Sequence, residues 1–361
     1  MKYCARCVYP ESKPDLYIDE EGVCSACRSY ESRPTVDWQA RQEEFRGTLD
    51  TAPGPYHCVV PVSGGKDSHA QILKIREFGL NPLAVNARTC HLSKLGRRNL
   101  DNVRNFADLV EVAPNSRVRA RLNKICLEMV GDISWPEHVS IFTQPVQIAV
   151  NYKIPFIIWG ENPQNEYGGP NAGSRILDRA WLEEFGGLLG LRVSDLPFDD
   201  HELSPYRYPE ESETVTGLFM GHFFPWDGYE NALVARENGF QWSDTPIQAS
   251  GFRYENLDNY QTGIHDFFKF LKFGFGRATD ICCNHIRRGR MTREEALSHI
   301  LEWDGKYPGQ NMDLSLRAIL ANIDMIPDRF LDVCEMYVNR DILEGPVTNL
   351  AVKAGYTNTA A

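Results

Sequence analysis

Ser63-Gly64-Gly65-Lys66-Asp67-Ser68 joins an apolar run, residues 57–62, to a stretch of helical periodicity that begins near Ser68. Two consecutive glycines let backbone N–H groups curl around an anion, and the start of a helix adds a dipole of the right sign. Lysine supplies a point charge and the serines supply hydroxyls, so the chemistry expected is the holding of a phosphate chain. A Walker A loop would need glycine at position 60 and a hydroxyl at 67, where this chain has Val60 and Asp67. It is not a Walker A loop.

A second polar cluster, Gly160-Glu161-Asn162-Pro163-Gln164-Asn165-Glu166-Tyr167-Gly168-Gly169, follows the apolar run 156–159. Gly160 permits close backbone approach, and either Glu161 or Glu166 can hold Mg²⁺, a hard cation that takes oxygen ligands.

Ten cysteines occur in the chain. Cys4 and Cys7 form one x2-spaced pair, Cys24 and Cys27 another, and sixteen residues separate them. That is the spacing of two knuckles closing a tetrahedral thiolate zinc site, with an iron–sulfur cluster as the rival. The intervening hairpin is too small to hold itself together without metal. No open coordination position is evident, so the metal is expected to be structural. Of the remaining six, Cys58 reads as core, and Cys90, just past the second strand, as able to face the nucleotide.

At 361 residues, 42% hydrophobic and 24% charged, the composition is that of a globular protein with a sizeable core. A net charge of -11 is the wrong sign for a general nucleic-acid surface, so a nucleic-acid partner is disfavoured. No apolar run reaches the roughly 18 residues of a membrane span, and the first residues lack a signal-peptide core. A cytoplasmic protein with no membrane association is expected.

Between residues 57 and 190, short apolar runs alternate with helical periodicity, as in a parallel α/β sheet. Strands are expected at 57–62, 83–86, 109–112 and 156–159, with helices near 68–78, 94–107, 117–130 and 140–152 between them. In such sheets ligands bind beyond the carboxyl ends of the strands, which is where both polar clusters fall. The domain division expected is a zinc ribbon (1–30), a linker (31–56), an α/β domain (57–214) and a mainly helical region (215–361). Helices are expected in that last region near 229–238, 264–274, 277–288, 292–302 and 314–322.

Ser-Gly-Gly-Lys-Asp-Ser resembles the PP-loop of the N-type ATP pyrophosphatases, the superfamily of GMP synthetase, NAD synthetase, argininosuccinate synthetase and tRNA-thiolating enzymes. The fold implied is α/β, a parallel-sheet PP-loop domain of the adenine nucleotide alpha hydrolase-like kind, and the reaction implied cleaves ATP between the α- and β-phosphates. Ser63, Gly64, Gly65, Lys66 and Ser68 would bind the pyrophosphate half. Asp67 would cap the helix or touch Mg²⁺, and Gly160 and Glu161 would line the nucleotide. PP-loop enzymes carry a Gly-x-x-x-Asp/Asn-x-x-Glu-like segment at this point, which raises Glu166 as the magnesium carboxylate, leaving Lys66, Asp67 and Glu166 as the catalytic set.

Taken with residues 22–27, the Trp159–Gly169 segment, Lys272-Phe273-Gly274-Phe275-Gly276-Arg277-Ala278-Thr279-Asp280 and Arg290–Ala296, the loop is similar to the N-acetyl sugar amidotransferase family. These bacterial enzymes modify nucleotide sugars for lipopolysaccharide or flagellin glycans. The resemblance implies an ATP-dependent ligase that turns an N-acetyl group into an acetamidino group, with ammonia supplied by separate glutaminase and ammonia-channelling subunits. A PP-loop RNA thiolase or another ATP pyrophosphatase ligase is the alternative, and would need cysteines in the site.

Polar residues embedded in the aromatic C-terminal region are the substrate-binding candidates. Lys272, Arg277, Arg287 and Arg293 suit a sugar-nucleotide diphosphate or a sugar carboxylate. His222 and His285, with Asp227, suit orientation of the amide or proton acceptance. Phe267, Phe268, Phe270, Phe273 and Phe275 are too dense for one helical stripe, so some should meet a second surface, either another subunit of a homo-oligomer or the α/β domain.

Overall fold

The structure, a computed structural model, describes residues 1–169 and 174–353. Five parallel strands form the central sheet: β1 (Cys58–Pro61), β2 (Pro82–Ala87), β3 (Asp108–Val112), β4 (Phe156–Trp159) and β5 (Thr216–Phe219). Their order is β3-β2-β1-β4-β5. The winding reverses between β1 and β4, which pair through Val59 and Ile157. At such a switch point the loops leaving the two strands diverge and open a crevice. Those loops are Ser63–Gly65 and Gly160–Glu161.

Helices cover both faces of the sheet. On the N-terminal side lie α1 (Ser25–Glu31) and α2 (Trp38–Leu49), then α3 (Lys66–Glu77) and α4 (Lys94–Val103) between strands. α5 (Ser116–Val130) and α6 (Trp135–Tyr152) lead into β4, followed by the short α7 (Pro163–Tyr167), α8 (Arg179–Phe185) and α9 (Asp200–Leu203). One core joins Phe45 and Leu49 of α2 to Ile72 and Ile75 of α3 and to β1. The opposite face packs Val146 and Ala149 of α6 on Val59, Leu83 and Ile157.

Several boundaries differ from expectation. α3 begins at Lys66, not Ser68, because Gly65 is its N-cap and the cradle runs directly into the first turn. α6 begins at Trp135, five residues earlier than expected, since Pro136 is tolerated in a first turn that needs no N–H partner. The stretch 31–56, read as a linker, contains α2, whose Phe45 and Leu49 are wholly buried. β5 lies just past the boundary expected at 214/215 and completes the sheet.

Beyond β5 come α10 (Gly228–Glu237), α11 (Thr262–Phe273), α12 (Arg277–Arg287), α13 (Arg293–Trp303), α14 (Leu316–Ala321) and α15 (Pro327–Tyr337). The phenylalanine run is consumed inside the chain. Phe267, Phe268 and Phe270 share a core with Leu127 and Ile133 of the α/β layer and with α14 and α15, whereas Phe275 joins the core of the N-terminal ribbon. No helix among the described residues is long and apolar enough to cross a membrane.

Candidate active site

Gly64 has φ 85°, and a Cβ there would stand 2.9 Å from the Leu100 nitrogen and 3.0 Å from the Gly96 oxygen. Only glycine fits the turn. The Ser63 hydroxyl accepts the Gly65 N–H at 3.2 Å, and Ser68 donates to the Gly65 carbonyl at 3.0 Å. His69 Nδ1 donates to the same carbonyl at 2.9 Å, which fixes its tautomer. These bonds hold the loop with its N–H groups at the start of α3.

Lys66 is 8% exposed, and its ammonium meets Asp67 Oδ2 at 2.8 Å and Glu255 Oε1 at 2.8 Å. Burial alone would lower its pKa, but the two carboxylates outweigh it and the lysine is held well above its usual range. Glu255, 3% exposed, also binds Arg277 at 2.7 Å. Against the burial that would raise it, Lys66 and Arg277 hold Glu255 down to about 2. Asn231 donates to the other oxygen of Asp67 at 2.8 Å. The cradle is thus wired into a line of alternating charges, Asp67, Lys66, Glu255 and Arg277.

A cavity of about 500 Å³ opens beside this line. Ser63, Asp67 and Ser68 form one wall, Gly160 and Glu161 another, and Arg277 a third. Burial, and next the charge of Asp67, push the Glu161 carboxyl up to about 7. Gly160 makes room for Trp226, whose ring would lie 3.2 Å from a Cβ there. Asp258, its carboxyl raised by burial, also lines the cavity. Its loop reaches the site because Gly96 has no side chain: a Cβ would fall 2.6 Å from the Asp258 Cα.

Glu166 is elsewhere. Its carboxylate meets Arg33 at 3.4 Å and Arg288 at 2.8 Å, and it does not line the cavity, so the oxygens expected to face magnesium are spent on guanidinium groups. Of the substrate-binding candidates, Arg277 alone lines the cavity. Lys272 donates to the Val130 carbonyl at 2.7 Å and sits over the Tyr337 ring. The His222 ring is paired with Arg41, and Arg287 donates to the Glu166 carbonyl at 3.0 Å. His285 meets the Tyr254 hydroxyl at 2.9 Å and accepts from Arg290 at 3.0 Å; burial, helped by Arg290, lowers it to about 4 and keeps it neutral. Asp227 is tied to Arg288 and Arg290. Arg293 reaches the backbone of Cys4 and Cys7.

Cys90 is also away from the site. Asn322 donates to its sulfur at 3.1 Å, and burial pushes its thiol up to about 12. No cysteine lines the cavity among the described residues. Sequence reasoning did not find Glu255, Asp258 or Asp266. The available signal was the dense run of acids and amides in Glu255-Asn256-Leu257-Asp258-Asn259 ahead of α11.

Cys4, Cys7, Cys24 and Cys27 converge as four buried thiols. Sulfurs of Cys4 and Cys27 lie 4.0 Å apart and those of Cys7 and Cys24 3.6 Å apart. Zinc–sulfur bonds of about 2.3 Å would place tetrahedral sulfurs about 3.8 Å apart, so the donor set and its dimensions fit zinc. The cluster fits a zinc ribbon, and Gly168 docks it against the site loop: a Cβ on Gly168 would strike Ala26 of α1 at 2.5 Å.

Residues 251–344, with Glu255 and Arg277 inside them, match the family model of the C-terminal domain of WbpG-like lipopolysaccharide biosynthesis proteins. The match spans the Lys272–Asp280 and Arg290–Ala296 segments that carry part of the sequence resemblance. Among particular proteins, the chain is 33% identical over 105 residues to the uncharacterized protein MJ1599 of Methanocaldococcus jannaschii, covering 28% of this chain and 38% of that protein. The chain therefore spans well under half the length of that relative. Among solved structures, NMN synthetase from Francisella tularensis aligns at 14% identity and a TM-score of 0.29, over 58% of this chain and 90% of that one. NAD⁺ synthetase from Burkholderia pseudomallei aligns at 15% identity and 0.27, over 59% and 91%.

Proposed function

We propose that the protein is an ATP-dependent sugar amidotransferase that converts an N-acetyl group of a nucleotide-activated sugar into an acetamidino group, in the synthesis of a bacterial surface glycan. The observation that carries this reading is the shared cavity: the phosphate cradle at Ser63–Ser68 and Arg277 of the lipopolysaccharide-biosynthesis domain face one space of about 500 Å³. The absence of a cysteine from that wall, among the described residues, removes the support a thiolase would need.

An amide carbon is a poor electrophile. The acetamido oxygen attacks the α-phosphorus of ATP, the bond to the bridging oxygen breaks and pyrophosphate leaves, giving an adenylylated imidate. Ammonia then adds to the imidate carbon, and AMP departs with the former amide oxygen. The N–H groups of Gly64 and Gly65, the hydroxyls of Ser63 and Ser68, and Lys66 bind the pyrophosphate half. Arg277 is the donor placed for an anionic part of the sugar nucleotide. Asp67 and Glu161 are the carboxylates that would hold Mg²⁺, which supplies charge neutralisation on the phosphates when bound. Ammonia comes from separate glutaminase and channelling subunits, and the reaction is cytoplasmic, where nucleotide sugars and ATP meet.

With Mg-ATP, a UDP-linked 2-acetamido sugar and ammonium, the products expected are AMP, pyrophosphate and a sugar nucleotide about one mass unit lighter, as NH replaces oxygen. Heavy oxygen placed in the acetyl carbonyl should appear in AMP. Label in orthophosphate, with ADP as product, would make the γ-phosphate the electrophile and end this mechanism.

The magnesium assignment has its own pH signature. Glu161 is ionised only above about 7, so Mg²⁺ affinity in the presence of a non-hydrolysable ATP analogue should fall as pH drops through that value. Calorimetric titration at about pH 8 and about pH 6 reads the change, and Glu161→Gln should flatten it. An unchanged pH dependence in that variant would take Glu161 out of the metal site.

A further inference from the structure

At another part of the cavity wall, three residues from separate elements converge. Asp132 sits in the turn after α5, where Gly131 adopts φ 62° and ends the helix; His138 is on α6 and His265 on α11. The ligand atoms of the three lie within 4.8 Å of one another. His265 Nδ1 is 2.9 Å from Asp132 Oδ1, and His138 Nδ1 is 3.4 Å from Asp132 Oδ2. The two rings stand edge to face with centroids 5.1 Å apart. Asp132 is 4% exposed, and its other bond is from the Ser134 N–H at 2.8 Å.

We propose that Asp132, His138 and His265 form a second metal site, which takes a divalent transition cation such as Zn²⁺, Mn²⁺ or Co²⁺ and turns its remaining coordination positions toward the cavity. The donor set is two imidazoles and one carboxylate, the combination that suits such ions and leaves positions for water or substrate. Bonds of about 2.0–2.1 Å put neighbouring ligand atoms about 2.9 to 3.4 Å apart, according to the geometry adopted, and the two imidazole–carboxylate separations, 2.9 Å and 3.4 Å, fall within that range.

The carboxylate is committed to these two side chains: among the described residues Asp132 makes ion pairs only with the two imidazoles. Lys272 is committed to the Val130 carbonyl. The site also opens onto ligand space: His138 and His265 line the cavity that Ser63 and Asp67 line elsewhere, while Asp132 stands behind them. A cation held there would face whatever the cavity binds, and the site is distinct from the carboxylate pair Asp67 and Glu161. The inference does not rest on the reaction proposed above, because the test uses the metal alone.

Full-length protein carrying zinc on its four cysteines is titrated with Co²⁺ in the absence of nucleotide and Mg²⁺. One further equivalent should bind, with weak visible bands and no thiolate charge-transfer absorption. His138→Ala and His265→Ala should each weaken it more than about 100-fold, while zinc stays at one per chain and the circular dichroism is unchanged. Asp67→Asn and Glu161→Gln should leave it in place. X-ray absorption on the unsubstituted protein guards against a variant that fails to fold: about two imidazoles and no sulfur should surround the cobalt. No second equivalent, a second equivalent that survives both histidine variants, or a cobalt shell without imidazole would each overturn the site and leave the cluster as a hydrogen-bonded carboxylate.

Discussion

Lys66→Ala should cut pyrophosphate release by about 10²- to 10³-fold, the effect of removing one donor from charge that develops in a transition state. The structure adds a second consequence. Lys66 is buried between Asp67 and Glu255, so its loss leaves Glu255, 3% exposed, with Arg277 as its remaining cation. Removing one partner from a buried charged network destabilises, here by about 1–3 kcal/mol because Arg277 stays. Activity and stability should fall together in the single variant and separate in the double one. Lys66→Ala with Glu255→Gln should recover most of the melting temperature, since the orphaned carboxylate is gone, and none of the turnover. Near-normal turnover in Lys66→Ala would remove the cradle from the chemistry. Recovery of turnover in the double variant would mean that Lys66 serves Glu255 and not a phosphate.

The same ion pairs bear on the proposed function. Glu255 occupies Lys66, so a phosphate chain bound as proposed would exchange one partner of Lys66 for another within a preformed line of charges. That arrangement keeps the ammonium ionised and oriented, which a lone buried lysine would not achieve. It also links the cradle to the stretch that matches the WbpG-like C-terminal domain, because Glu255 and Arg277 both lie in residues 251–344.

What could be read from the sequence was local. The cradle, four of the five strands and the cysteine knuckles each reveal themselves within a few residues, through glycine pairs, short apolar runs and x2 spacing. β5 escaped because Thr216-Gly217-Leu218-Phe219 is brief, carries a glycine and runs into an aromatic turn. Glu166 was misplaced for a different reason: Arg33 and Arg288, 133 and 122 positions away, neutralise it through space. Residue type likewise could not say that Lys272 would cap a carbonyl, that Arg293 would reach the cysteine backbone, or that Asp258 would pack against Gly96 and line the cavity. Partners separated by a hundred residues leave no periodic trace.

Cys24→Ser should release the zinc and destabilise far more than the ribbon. Classical zinc knuckles draw their folding free energy from the metal, on the order of 10 kcal/mol, so residues 1–30 should lose their fold when the tetrahedron opens. Here the damage spreads, because the ribbon shares a core with Phe275, Cys282, Cys283 and Ala296 of α12 and α13. Arg293 holds the carbonyls of Cys4 and Cys7, and Gly168 packs on Ala26, so the wall that carries Arg277 and the loop after β4 both lean on the ribbon. A loss above about 4 kcal/mol is expected, in the range that accompanies removal of a metal and not of a single buried thiol. Metal analysis should give one zinc per chain in the parent protein and none in the variant, with melting read by circular dichroism. Cys58→Ser, a buried thiol of β1 outside the cluster, should keep its zinc. Full zinc in Cys24→Ser would break the assignment, and visible absorption with iron in place of zinc would make the four thiols a cluster site.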